Sequence, residues 1–125
     1  SSDLQRAVDS AKLGFEGKLE LREDDRLREC NYGELNGSTK TDAVKPDHIT
    51  DKFPGGEAYV DVEARIEEFL EFLKEEYDGK HVAIMAHQAP QLALEVITKG
   101  KSWQQAFAED WRNSKDWQPG WQYAY

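Results

Sequence analysis

The sequence predicts an α/β domain, on three observations. Residues 57–77 carry a strongly periodic amphipathic pattern, residues 81–86 form a near-continuous apolar run of strand length, and a second helical pattern opens around Pro90 and closes at Gly100. Helix, strand and helix in that order are the wiring of a parallel sheet covered by helices. With 125 residues, 38% of them hydrophobic, the chain is long enough for one domain and too short for two ordinary ones.

The first helix is expected over residues 1–14. Leu4, Ala7, Val8 and Ala11 share one face, Ser2 and Gln5 have capping-box spacing, and Gly14 is a natural stop. Residues 18–21 alternate polar and apolar and suggest a short strand, after which the charged stretch 23–31 reads as loop anchored by Leu27. The polar stretch 36–56, with Pro46, Pro54, Gly55 and Gly56, is long enough to be a loop lying over a site. In the 57–77 helix, Val62, Ile66, Phe69, Leu70, Leu73 and Tyr77 form the apolar stripe between Glu63, Glu67, Glu68, Glu71, Lys74 and Glu75, and Asp78-Gly79 ends it. The run 81–86 reads as a strand buried on both faces. Leu92, Ala93, Val96 and Ile97 supply the stripe of the next helix. A short helix is expected over 102–110 and a strand over 121–125. Trp103, Trp111, Trp117 and Trp121 read as core and edge packing.

Two features point to a chain that begins partway through a fold. An α/β domain ordinarily opens with a strand, and here the first strand is missing. The one methionine is Met85, so Ser1 is not an unprocessed start.

Charge and composition narrow the function. A net charge of -9 argues against nucleic acid or an anionic membrane surface as a partner, so phosphate chemistry would need a local basic pocket. The apolar run 82–86 is far shorter than the roughly 20 residues of a membrane span. A lone cysteine, Cys30, excludes an internal disulfide, fits a cytoplasmic location, and reads as a buried structural thiol.

Three side chains stand out. His87 follows the predicted buried strand at its carboxyl end, where ligands bind in open α/β sheets, and precedes a helix whose free N–H groups attract anions. Arg6 sits in the first turn of its helix, a place that suits a cation when an anion lies between guanidinium and helix end. Glu29 could protonate a leaving oxygen beside a phosphate site. His81, at the opposite strand end, reads as structural, and His48 as a solvated loop residue.

Together these segments resemble the histidine phosphatase superfamily, the phosphoglycerate-mutase-like enzymes. Ser1-Ser2-Asp3-Leu4-Gln5-Arg6-Ala7 is similar to the family's phosphate-arginine segment, and Leu27-Arg28-Glu29 through Gly37 to its acid loop. Phe53-Pro54-Gly55-Gly56-Glu57 is similar to the glycine-rich lead into the long helix, and Ala86-His87 to the second catalytic histidine. The resemblance implies a three-layer sandwich with a mostly parallel sheet, here missing its first strand and helix, over residues 1–125. It also implies phosphomonoester hydrolysis through a phosphohistidine, without metal or cofactor, on a small phosphorylated substrate. Arg6 would clamp phosphate, Glu29 would be the general acid or base, and His87 the second phosphate-holding histidine.

Departures from the family pattern shape the expectation. No Arg-His-Gly nucleophile motif occurs in the 125 residues, so the chain as it stands is expected not to turn over. Gln88-Ala89-Pro90 follows His87 where the family usually has glycine, and Gln88 either narrows the phosphate approach or adds an amide contact. Ala58 stands where serine is frequent. A non-catalytic phosphate binder, a phosphoglycerate mutase and a self-associating homodimer with an exposed sheet edge are the alternatives.

Overall fold

A computed structural model describes residues 1–114 and 118–125. Among the described residues the regular structure is helical: α1 (Gln5–Phe15), α2 (Thr41–Val44), α3 (Tyr59–Tyr77), α4 (Gln88–Lys99) and α5 (Trp103–Ala108), joined by 3-10 turns at Asp25–Leu27, Gly33–Leu35, Lys45–His48 and Trp111–Asn113.

Several helix ends are closed by side chains, glycines or left-handed turns. In α1 the buried stripe is Ala7, Val8 and Ala11, and the helix runs one residue past Gly14 before Glu16 turns left-handed and donates its N–H to the Lys12 carbonyl. The Asp61 carboxylate reaches back 2.8 Å to the Ala58 N–H at the start of α3, taking one of the free donors there. Gly100, at φ 67°, closes α4 with its N–H on the Val96 carbonyl, as expected for a glycine at that position. Ser102 caps α5 by accepting the Gln105 N–H.

The core lies where α3 packs on α4, with the Asp25–Leu27 turn against α3 and α5 against α4. Tyr59, Val62 and Ile66 from α3 meet Leu92 and Ala93 from α4, joined by Leu27, Phe53 and Trp103. Each large apolar side chain so buried contributes about 1.5–3 kcal/mol. The Tyr59 ring packs on Trp103, Phe107 and Phe53, with centroids 5.1, 4.9 and 6.1 Å away. Among the described residues no helix is long and apolar enough to cross a membrane.

The helices expected over 57–77, from Pro90 to Gly100 and over 102–110 are present, the second opening two residues earlier, at Gln88, but the expected sheet is not. Among the described residues there is no strand, so the α/β three-layer sandwich with a mostly parallel sheet is overturned. Residues 18–21, 81–86 and 121–125 are irregular. The reason lies in backbone pairing. A strand needs a row of partners along one edge, and here only Ser1 and Ser2 supply any. Ser2 donates to the Met85 carbonyl at 2.8 Å, the Ser1 carbonyl accepts from Asp24 at 2.8 Å, and a single parallel bridge joins Ser2 to Asp24. The apolar run 81–86 has the side chains of a buried strand without a neighbour to complete the ladder, and Val82 is left exposed.

The stretch 36–56 is more ordered than a loop, since α2 and the Lys45–His48 turn lie within it. His48, expected to be solvated, is half-buried: its ring stacks on Phe53 at 4.0 Å and its Nδ1 lies 3.0 Å from the Asp51 carbonyl. Trp103 is core, and Trp111 stacks on Trp121 at the edge. Trp117 lies outside the described residues.

Candidate functional site

Arg6, Glu29 and His87 meet at the N-terminal end of α4. His87 is the cap residue of that helix, and its partly buried ring reaches toward α1. Arg6 stands on the exposed side of α1, opposite the Ala7, Val8 and Ala11 stripe. Its Nε and Nη2 lie 3.3 and 3.2 Å from His87 Nδ1. On the other side of the ring, Nε2 lies 3.0 Å from the hydroxyl of Ser2, a fully buried residue.

Glu29 is placed by the same helix end. Its Oε1 accepts the Ala89 N–H at 2.9 Å and the N–H of Cys30 at 2.9 Å. A carboxylate on the first-turn donors of a helix satisfies a backbone group that would otherwise be orphaned and opposes the positive end of the helix dipole. Among the described residues nothing donates to Oε2.

The segment carrying Glu29 is held by α3. Arg65 donates to the backbone carbonyls of Arg26, Arg28 and Glu29 at 2.5, 2.8 and 3.2 Å, and it pairs with Glu57. Glu57 in turn accepts the Asn31 N–H. One guanidinium on the long helix therefore fixes the carbonyls around Glu29.

Burial is the largest influence on His87 and lowers its pKa below the usual histidine value. Arg6 and Arg65 push the same way, and Glu29 opposes them. Cys30, 3% exposed, has its thiol pushed up to about 12, first by burial and then by Glu57 and Glu29, so it is the inert structural thiol expected.

Gln88 is turned elsewhere. Its Oε1 accepts from Lys45 Nζ at 2.8 Å and its Nε2 donates to Asp110 at 2.7 Å, so both ends of the amide are committed between the 36–56 segment and the chain after α5. Lys45 also pairs with Asp42 at 2.5 Å. His81 is exposed and lines a groove of about 430 Å³ together with Leu19, Leu21, Phe69 and Val82. That groove contains none of Arg6, Glu29 or His87. Charge and hydrogen-bonding capacity converge at the trio and not in the groove.

Sequence reasoning missed Ser2, Arg65 and Lys45. Ser2 carried a signal, its capping spacing to Gln5, but its hydroxyl accepts the Leu4 N–H and faces His87. Arg65 was hidden among the acidic residues of α3 and had no signal of its own.

A guanidinium, an imidazole and a carboxyl at a helix N-terminus can together hold a tetrahedral oxyanion and move one proton to or from it. Among the described residues no group of three or more His, Cys, Asp or Glu side chains is arranged to hold a metal ion. No curated protein matches the chain. One family model does, that of the histidine phosphatase superfamily (branch 1), over residues 1–115.

Proposed function

This chain belongs to the histidine phosphatase superfamily, and from that premise we propose that it carries the phosphate clamp and proton-transfer carboxyl of a phosphomonoester hydrolase that works through a phosphohistidine. The observation that carries this reading is the approach of Arg6 to His87 across 81 residues of chain, with Glu29 bound to the same helix end.

In the reaction proposed, a histidine nitrogen attacks phosphorus, the bond from phosphorus to the leaving oxygen breaks, and Glu29 gives that oxygen a proton through Oε2. Water then attacks the phosphohistidine and passes a proton back to Glu29. Arg6 and His87 hold the equatorial oxygens, whose charge grows in the transition state. The contacts are local, so the net charge of -9 does not oppose them.

No Arg-His-Gly occurs in the 125 residues, and neither remaining histidine is placed to attack: His48 is stacked on Phe53 and His81 lies in the groove. The 125 residues should therefore bind phosphate without turnover. A second reading is a non-catalytic binder of a phosphorylated ligand, which would use the same Arg6 and His87 contacts without chemistry. The gene sequence upstream of Ser1 separates the two, since Arg-His-Gly encoded there supports the enzyme.

Titration with inorganic phosphate should show binding that weakens about tenfold or more, roughly 1.4 kcal/mol, in Arg6→Ala and in His87→Ala. An aryl phosphate should not be hydrolysed. Phosphate affinity that survives both substitutions would overturn the site, and hydrolysis by these 125 residues that His87→Ala abolishes would overturn the missing-nucleophile argument.

A further inference from the structure

Both ring nitrogens of His87 are engaged, and their partners differ in kind. Arg6 offers Nδ1 only donors, because a guanidinium has no acceptor, which favours Nδ1 as the unprotonated nitrogen of a neutral ring without fixing it, since Arg6 is exposed and free to turn away. The ring proton then resides on Nε2, 3.0 Å from the Ser2 oxygen. That oxygen also receives the Leu4 N–H at 3.3 Å, so it is turned toward incoming donors.

The backbone of Ser2 leaves the hydroxyl little freedom to move. Its N–H is bonded to Met85, the residue before it accepts from Asp24, and Ser2 is completely buried. No regular element accounts for burying a polar side chain here, and hydrogen bonding to the ring does.

We infer that Ser2 is a positioning residue for His87: its hydroxyl accepts a hydrogen bond from Nε2–H and so reserves Nδ1 as the ring atom that meets a bound oxyanion. This rests on the reading that Arg6 and His87 clamp phosphate. When the anion arrives, the Arg6 donors turn to its oxygens, and Nδ1 takes a proton from solvent and becomes a second donor. The charged groups facing the ring are Arg6 from α1, Arg65 from α3 and Glu29 from the loop before Cys30. Two of the three oppose that proton in the free protein, so the anion is what draws it in. A histidine whose second nitrogen is fixed by a neighbour has its tautomer and its ring orientation set together.

The test is nitrogen NMR of the imidazoles in the full 125-residue protein. The free protein should show His87 protonated at Nε2 and bare at Nδ1. Inorganic phosphate should raise its pKa by about one unit or more, as an adjacent opposite charge does. Ser2→Ala should mix the tautomers and weaken phosphate binding several-fold, while Ser2→Thr, which keeps the hydroxyl, should restore the wild-type tautomer. A free wild-type ring protonated at Nδ1 overturns the inference without any variant, so a misfolded Ser2→Ala does not rescue it. A folded Ser2→Ala with unchanged tautomer and pKa overturns it as well. A tautomer that follows Ser2, in a protein where phosphate moves no His87 signal, supports the hold of Ser2 on the ring and overturns the phosphate reading.

Discussion

The imidazole of His87 is surrounded by more that disfavours its cation than favours it. Burial comes first, the Arg6 guanidinium on Nδ1 and the more distant Arg65 add to it, and Glu29 alone pulls the other way. The folded-state pKa is therefore depressed relative to the unfolded chain, where it lies near 6.5. Between the two values the unfolded chain binds more protons, so stability rises with pH there. The stability contributed by the neutral ring is complete above about pH 6.5 and is lost as pH falls through the folded value. Denaturant midpoints measured against pH should fall on the acid side of 6.5 in the wild type, and His87→Asn should flatten that limb. A steeper limb in the variant would mean that the ring is held as a cation.

At the scale of elements, the site depends on two loops crossing at backbone distance. Glu34 donates to the Pro54 carbonyl at 2.9 Å and Glu57 to the Asn31 carbonyl at 2.8 Å, and glycines sit where the chains touch. A Cβ on Gly33 would lie 2.0 Å from the Pro54 oxygen, and one on Gly56 2.3 Å from the Asn31 oxygen. Gly33 also has φ +56°, whereas Gly37 has φ +77° with open space around it. Gly37→Ala should therefore cost about 1 kcal/mol from conformation alone, and Gly33→Ala clearly more, because backbone must move as well. Equal denaturant midpoints for the two variants would show that the crossing is slack. Periodicity revealed α3 and α4, where stripes such as Val62, Ile66, Phe69 and Leu70 record burial directly. It misled at 81–86, because an apolar run records the wish for cover and says nothing of a hydrogen-bonding neighbour. Arg6 and His87 were singled out by their positions at helix ends, and Glu29 by the resemblance of its segment to the family's acid loop. The hold of Arg65 on three carbonyls was not legible, because it exists only once the loop folds back on α3.

Across the whole molecule the acidic surface and the apolar groove lie in tension. The groove is bordered by Leu19, Leu21 and Val82, 56%, 37% and 44% exposed, and floored by Phe69 and Leu73. Scattered exposed leucines need no explanation, but apolar side chains gathered over a concavity of about 430 Å³ form a largely apolar wall open to water, edged by charged residues such as Lys12, Glu20 and Lys80. Such a wall attracts small apolar solutes in proportion to the area it hides, at about 25 cal/mol per Å². An uncharged solvatochromic dye suits the test, because the net charge of -9 neither draws nor repels it. The folded protein should enhance and blue-shift its emission. The double substitution Leu19→Ser and Val82→Ser should abolish most of that signal while leaving the denaturant midpoint within about 0.5 kcal/mol of wild type, since exposed positions carry little stability. Phosphate should not compete with the dye, as Arg6 and His87 lie outside the groove. If phosphate displaces the dye, or the double variant binds it undiminished, the separation between groove and anion site is wrong.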